Sequence, residues 1–260
     1  MKLLRCAHEG QIWIGRLEGD QVFLQRGDLF GELQDTGVIL AAEGLQWLPP
    51  CAPGKVIALW NNFHAAAERN GWAVPNNPLY FFKAPSSAVG HFGLIPIPTS
   101  YDGRVVYEGE LAVIIGRRAD AIAASEAHQY ILGYSCANDV TAVETIGRDA
   151  SFAQWARAKS RRGFTAFGPV IDTDFDPSGK GLRTLVNGRA RQSYSFSDMF
   201  FGPHELVSRI SQDMTLEAGD VIFCGTSLGA MPMKPGTRVE VLIEGLGNLT
   251  NIYGEVSDAG

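Results

Sequence analysis

The chain has 260 residues, 45% of them hydrophobic and 19% charged, with a formal net charge of -6. That apolar content excludes a disordered chain, and an acidic total without a basic block argues against nucleic acid as the main partner. The longest aliphatic run, residues 111–115, is far short of the ~18 residues that span a bilayer, and Lys2 and Arg5 interrupt the opening too early for a secretory signal, so a cytoplasmic location is expected.

Residues 1–48 alternate polar and apolar, and Glu18-Gly19-Asp20 between two such runs predicts a hairpin. Pro49, Pro50 and Pro53 then break the pattern, which sets a small β-rich N-terminal domain over residues 1–50 apart from a catalytic domain over residues 53–256. A short helix is predicted over residues 64–70, ended by Gly71. Further strands are expected at residues 105–115, 130–137, 165–171, 220–224 and 237–243, and helices at 119–129 and 203–212. No regular βαβ alternation appears, which disfavours a Rossmann-like sheet and favours an α+β, mainly β roll or sandwich with peripheral helices. Cys6, Cys51, Cys136 and Cys224 are too few for a disulfide framework and lack C-x-x-C spacing, so buried thiols are expected.

The richest stretch is Tyr107-Glu108-Gly109-Glu110-Leu111, inside an apolar strand. Alternation puts Glu108 and Glu110 on one face, while Gly109 leaves the other face open. Two partly buried carboxylates repel and are costly to desolvate, so they call for a cation or a proton; a hard divalent ion with oxygen ligands meets that need. Asp139, after the apolar run 130–134, offers a third carboxylate. The competing reading places the two glutamates on a solvent-facing edge and makes Asp139 a helix cap.

His64 and Glu68, four apart on the short helix, could form a base with its orienting carboxylate, although an exposed pair is the commoner explanation. Lys159 belongs to a cationic cluster, residues 155–163, able to hold an organic anion or simply a solvated face. The turn Gly225-Thr226-Ser227-Leu228-Gly229 follows an apolar strand and could receive a carboxylate through its N–H groups and hydroxyls, but lacks the Gly-Lys-Ser/Thr of a phosphate loop. The remaining histidines show no metal-ligand spacing, and no serine has a nucleophile-elbow context.

In order along the chain stand Phe82-Lys83-Ala84-Pro85-Ser86-Ser87, Tyr107-Glu108-Gly109-Glu110-Leu111, Ala137-Asn138-Asp139-Val140, Lys159-Ser160, Val186-Asn187-Gly188, Gln192, Ala218-Gly219-Asp220 and Gly225-Thr226. This order resembles the fumarylacetoacetate hydrolase family over residues 53–256. The resemblance implies a mixed β-sandwich roll of that family's C-terminal-domain type, a homodimer, and Mg2+ or Mn2+ held by Glu108, Glu110 and Asp139. It also implies an active-site lysine at Lys159, substrate contacts from Gly225 and Thr226, and a water-activating His64 with a glutamate on a lid-like helix.

Here that glutamate is Glu68, at i+4, where the family more often has i+3, occupied by Ala67. Val143 replaces a frequent arginine, and Ile146 stands near a frequent glutamine. His64 and Glu68 make the leading expectation a divalent-metal-dependent hydrolase cleaving a carbon-carbon bond in a 1,3-diketo acid or acylpyruvate from aromatic catabolism. The alternative is a decarboxylase or isomerase of the 2-hydroxyhepta-2,4-diene-1,7-dioate type, and a silent ligand-binding β protein is the reading from another class.

Overall fold

A computed structural model describes residues 1–256. Alternating residues build β1 (Lys2–His8), β2 (Gln11–Glu18), β3 (Gln21–Gly27), β4 (Leu33–Ala41) and β5 (Gln46–Leu48). β2 and β3 form the expected hairpin, with Glu18 opposite Gln21 and Gly19 supplying the positive φ that the tight turn requires. Next come β6 (Val56–Trp60), α1 (His64–Asn70), β7 (Leu79–Lys83), β8 (Ala88–Val89) and β9 (Leu94–Pro96). α1 stops where expected, at left-handed Gly71, whose N–H bonds Glu68 O.

The strand expected over residues 105–115 is broken. β10 (Val105–Val106) and β11 (Gly109–Ile115) flank Tyr107 and Glu108, which lie in neither. β12 (Ile131–Asp139) is followed by β13 (Thr141–Ala142), α2 (Val143–Ile146), α3 (Trp155–Lys159), β14 (Thr165–Asp172), β15 (Gly181–Val186) and β16 (Arg189–Ser195). The chain closes with α4 (Pro203–Asp213), β17 (Val221–Phe223), β18 (Thr237–Ile243) and β19 (Gly247–Gly254). The helix expected at 119–129 shrinks to a 3-10 stretch, Ala124–Gln129. Tertiary hydrogen bonds claim its first half, because Ala119 exchanges bonds with Leu216 and Ala121 N–H donates to Ser211 O.

The large sheet runs β4-β3-β2-β1-β14-β12-β11-β17-β6-β7, with β5 on β1 and β8 on β14. The N-terminal strands therefore continue the same sheet, through the pairs Lys2 to Asp172 and Leu3 to Ile171. A second sheet, β16-β15-β18-β19-β9, packs against it, and β10 and β13 form a separate two-stranded ribbon.

β11 is buried on both faces, and the period of two sorts its side chains. Leu111, Val113 and Ile115 meet Leu182, Val241 and Ile243 of the second sheet and Leu206, Val207 and Ile210 of α4. Ala112 and Ile114 point the other way, among Val56, Ala58, Phe81 and Phe167. Each such aliphatic side chain contributes roughly 1.5–3 kcal/mol on burial. Glu110 shares the parity of Ala112, and Asp139 that of Ala137, so the sheet carries both carboxylates to its apolar face. All four cysteines are free and buried.

Candidate active site

The cluster is fixed by backbone pairing before any side chain acts. Glu108 N–H donates to Asn138 Oδ1 at 2.9 Å, and Asp139 N–H donates to Glu108 O at 2.8 Å, locking Glu108 opposite the end of β12. Gly109 anchors the start of β11. Its N–H donates to Gln192 Oε1 at 2.9 Å, and its carbonyl accepts from Thr226 Oγ1 at 3.0 Å and from the Tyr194 hydroxyl. A Cβ at this position would overlap Thr184 Oγ1 of β15, so close sheet packing requires the glycine.

One carboxylate oxygen from each of Glu108, Glu110 and Asp139 lies within 4.8 Å of the others. Glu110 and Asp139 are fully buried, and Glu108 is partly exposed, with 17% of its side chain accessible. Lys159, at the end of α3, places Nζ 2.7 Å from Glu108 Oε2 and 2.7 Å from Asp139 Oδ2. Lys83, at the end of β7, binds Asp139 Oδ1 and donates to Phe164 O at 3.0 Å. Gly225 N–H donates to Glu110 Oε2 at 2.6 Å, and Thr141 Oγ1 donates to Glu108 Oε1 at 2.7 Å. Gly225 has φ 90°, a left-handed conformation suited to glycine.

The electrostatics follow from burial set against pairing. Burial, then the neighbouring Asp139 charge, pushes the Glu110 carboxyl well above its ordinary range. Burial acts the same way on Asp139, but Lys159 and Lys83 outweigh it and hold that carboxyl below its ordinary range. Lys159 would be lowered by burial, yet Asp139 and Glu108 raise it and keep it an ammonium. Burial wins at Lys83, whose ammonium is pulled below its usual value despite Asp139.

Counted formally, three carboxylates face two ammonium groups, an acidic surplus that the raised Glu110 carboxyl reflects, and Glu110 Oε1 is buried without a hydrogen-bond partner. An orphaned buried carboxylate oxygen is costly. An all-oxygen donor set converging on it fits a hard divalent cation held by Glu108, Glu110 and Asp139.

α1 is arranged differently. Phe63 packs on Tyr194 with ring centroids 4.9 Å apart, and Asp198 accepts Ala65 N–H at 3.1 Å, capping the first turn from another segment. Buried Asn62 donates to Cys224 O at 2.8 Å and accepts from Phe201 N, tying the helix start to the segment that leads from β17 to Gly225. His64 is exposed, with its ring 4.1 Å from that of Phe200, and Glu68 is exposed too. Among the described residues, no hydrogen bond or ion pair joins His64 to Glu68, or either of them to the carboxylates.

The structure thus brings Glu108, Glu110, Asp139, Lys159 and Gly225 into one bonded cluster, with Thr226 beside it through Gly109. It leaves His64 and Glu68 outside. Sequence reasoning gave Lys83 and Gln192 only as landmarks of the resemblance, without a site role, and missed the supporting Tyr194. A signal for Lys83 existed: in the strand Leu79–Lys83 it shares the parity of Phe81, and both are buried.

A family profile, fumarylacetoacetate (FAA) hydrolase C-terminal, matches residues 55–252, and a second, Rv2993c-like N-terminal, matches residues 1–50. The 4-hydroxyphenylacetate degradation bifunctional isomerase/decarboxylase of Salmonella dublin is 35% identical over 78% of this chain and 47% of its own length. Oxaloacetate tautomerase YisK of Bacillus subtilis is 33% identical over 78% of this chain and 70% of its own. The crystal structure of 5-carboxymethyl-2-hydroxymuconate delta-isomerase from Mycobacterium smegmatis superposes with a TM-score of 0.90 at 35% identity, covering 98% of this chain and all of the other.

Proposed function

Because the chain belongs to the fumarylacetoacetate hydrolase family, we propose that it is a divalent-metal-dependent enzyme that isomerises or decarboxylates a 2-oxo acid or its 2-hydroxydienoate form. The observation that carries this reading is the buried cluster of Glu108, Glu110 and Asp139 with Lys159 between two of them. Mg2+ or Mn2+ held by the three carboxylates would polarise the oxygens of a bound oxo acid and stabilise negative charge developing on them.

The chain's own groups supply the rest. Lys159 remains an ammonium because Asp139 and Glu108 hold it so, and it offers a fixed positive charge to an anionic oxygen. The Gly225-Thr226 turn is the proposed seat of the substrate carboxylate, positioned by Gln192 Nε2 on Thr226 Oγ1 at 2.9 Å and by the bond from Gly225 to Glu110. The apolar face around Phe81 excludes water from the cluster, which strengthens each of these interactions. In this reading residues 53–256 carry the chemistry, residues 1–50 form an accessory β unit, and the protein works as a cytoplasmic homodimer.

Isomerisation and decarboxylation both use the enolate-stabilising charge of the cluster and neither needs the activated water that hydrolysis also requires, which favours them. The names of the isomerase, decarboxylase and tautomerase relatives support the same branch. Hydrolysis of an acylpyruvate is the second reading. It is favoured by one observation, that Asn62 ties the helix bearing His64 to the strand end holding Glu110.

The test is a continuous ultraviolet assay of metal-stripped protein on oxaloacetate, acetylpyruvate and a 2-hydroxydienoate, with and without Mg2+ or Mn2+, coupled to pyruvate detection. Metal-dependent enol-keto conversion or loss of CO2 is expected. Metal-dependent pyruvate from acetylpyruvate alone would transfer the assignment to the hydrolase, and turnover indifferent to metal would overturn the site.

A further inference from the structure

The cationic run 155–163 divides its charges between two places. Lys159 turns inward to the carboxylates, whereas Arg157 and Arg161 line a separate cavity of about 770 Å³ on the other side of Lys83. Lys55, Lys83, Pro85, Ser100 and Ser160 are among the other residues of its wall. Ser160 takes no part in the carboxylate cluster, since its hydroxyl accepts Ala84 N–H at 2.8 Å.

The charges around this cavity are unbalanced. Lys55 pairs with Asp220 at 2.5 Å, and Asp220 also accepts the N–H groups of Lys55 and Glu217, so the unpaired charge lies on the two arginines. Among the described residues neither Arg157 nor Arg161 forms an ion pair. Arg161 rests over the Tyr101 ring at 5.1 Å and reaches only Ser100 Oγ, at 3.3 Å. Glu144, the acid on the Tyr101 hydroxyl, is held by Arg104. The Arg161 Nε is buried without any hydrogen-bond partner. A guanidinium that lines a cavity, is steadied on an aromatic ring and has no carboxylate partner suits a planar, bidentate oxyanion. In a chain of net charge -6, an unneutralised cationic cavity is also a local exception to the repulsion that anions meet elsewhere.

We propose that this cavity is an oxyanion-binding site, distinct from the carboxylate cradle, for a small organic phosphate or polycarboxylate gripped by Arg157 and Arg161 with Lys55 at the rim. Its volume lies within the ~300–1,000 Å³ of small-molecule sites and exceeds the needs of a single inorganic ion. Because α3 carries Lys159 and is followed at once by Ser160 and Arg161, an occupant here would sit one turn of chain from the active-site ammonium.

The experiment is calorimetric titration of the full-length, metal-stripped protein with inorganic phosphate and, separately, with citrate. Saturable binding of at least one is expected, weakened at least tenfold in the Arg157→Gln/Arg161→Gln double variant. Tighter phosphate identifies a phosphate-type ligand, and tighter citrate a polycarboxylate. Mg2+ titration of the same variant, expected to match the parent, shows that it is folded and its cradle intact; should it fail, the single Arg157→Gln variant, altered at an exposed position, replaces it. Absence of saturable binding to both anions, or equal affinity in the variant, overturns the proposal. Neither result depends on turnover, so failure of the proposed reaction would leave this test standing.

Discussion

The carboxylate cradle, expected to hold a metal, and the helix α1, expected to carry a water-activating pair, are built on opposite principles. Glu110 and Asp139 are fully buried in adjacent strands, and two lysines, a backbone N–H and a threonine hydroxyl satisfy the cluster on almost every side. His64 and Glu68 stand exposed on a seven-residue helix, too short to be stable alone and held by Phe63, Asn62 and Asp198. Buried charge must be preorganised, because any loosening leaves it unpaired in a low dielectric. An exposed dyad has no such constraint, so its geometry is free to be set when a ligand arrives.

The largest expected effect comes from breaking the cradle's charge balance. Lys83→Met removes one of the two ammonium groups on Asp139 and leaves a partly uncompensated buried carboxylate. Severing a buried pair costs roughly 3–5 kcal/mol, read by urea denaturation of the metal-free protein. Added Mg2+ should recover part of that loss by supplying the missing positive charge. A loss below about 1 kcal/mol would mean that Lys159 alone neutralises Asp139.

Glu110→Gln sharpens the same point. The amide keeps the shape and can keep the Gly225 hydrogen bond, but removes a carboxylate that burial already penalises. Metal-free stability should therefore hold or rise, while the melting shift induced by Mg2+ disappears and turnover falls about 100-fold or more, roughly 2.7 kcal/mol. A normal metal-induced shift in this variant would remove Glu110 from the ligand set.

Much of the cradle was legible because its signals are local. The alternation Glu108-Gly109-Glu110 inside an apolar strand and the carboxylate after a second apolar run both point to one buried acidic cluster. The reason given for Glu108 was nonetheless incomplete. Glu108 itself lies outside β10 and β11, and its direction comes from Asn138 Oδ1 and Asp139 N–H at the end of β12 and not from the pleat.

The less legible features depend on distant pairings. Nothing near Lys2 announces that β1 joins β14 at Asp172, and nothing near Ala119 announces that Leu216 will take its backbone bonds in place of a helix. Lys83 stood among the landmarks of the resemblance without a role, and only its shared parity with Phe81 marks it as a buried lysine. His64 and Glu68 illustrate the converse. Spacing of four places two side chains on one helical face, but cannot make them touch when both can reach water.

On the α1 side, Asp198→Ala removes the carboxylate that accepts Ala65 N–H. A lost cap is worth about 1 kcal/mol, and here the effect should be local. Amide exchange should quicken over residues 65–71, while Mg2+ affinity stays unchanged. Faster exchange in β11 or β12 would show that helix and cradle are one cooperative unit, contrary to the contrast drawn between them.

The smallest expected effect belongs to His64→Ala, and its size decides between the two reactions. The ring contacts Phe200 at the surface and makes no bond to the carboxylates, so its removal should leave folding and Mg2+ binding untouched. If the reaction is isomerisation or decarboxylation, Lys159 and the carboxylates supply its charge stabilisation, and the rate should change less than about threefold, within roughly 0.7 kcal/mol. If it is hydrolysis, His64 is the general base, and its loss costs about 10²–10⁴-fold in rate. Glu68→Gln then separates a paired dyad from a lone histidine. A paired carboxylate would be felt in the pH profile of the rate as well as in its size, whereas an exposed Glu68 that never meets His64 would alter neither.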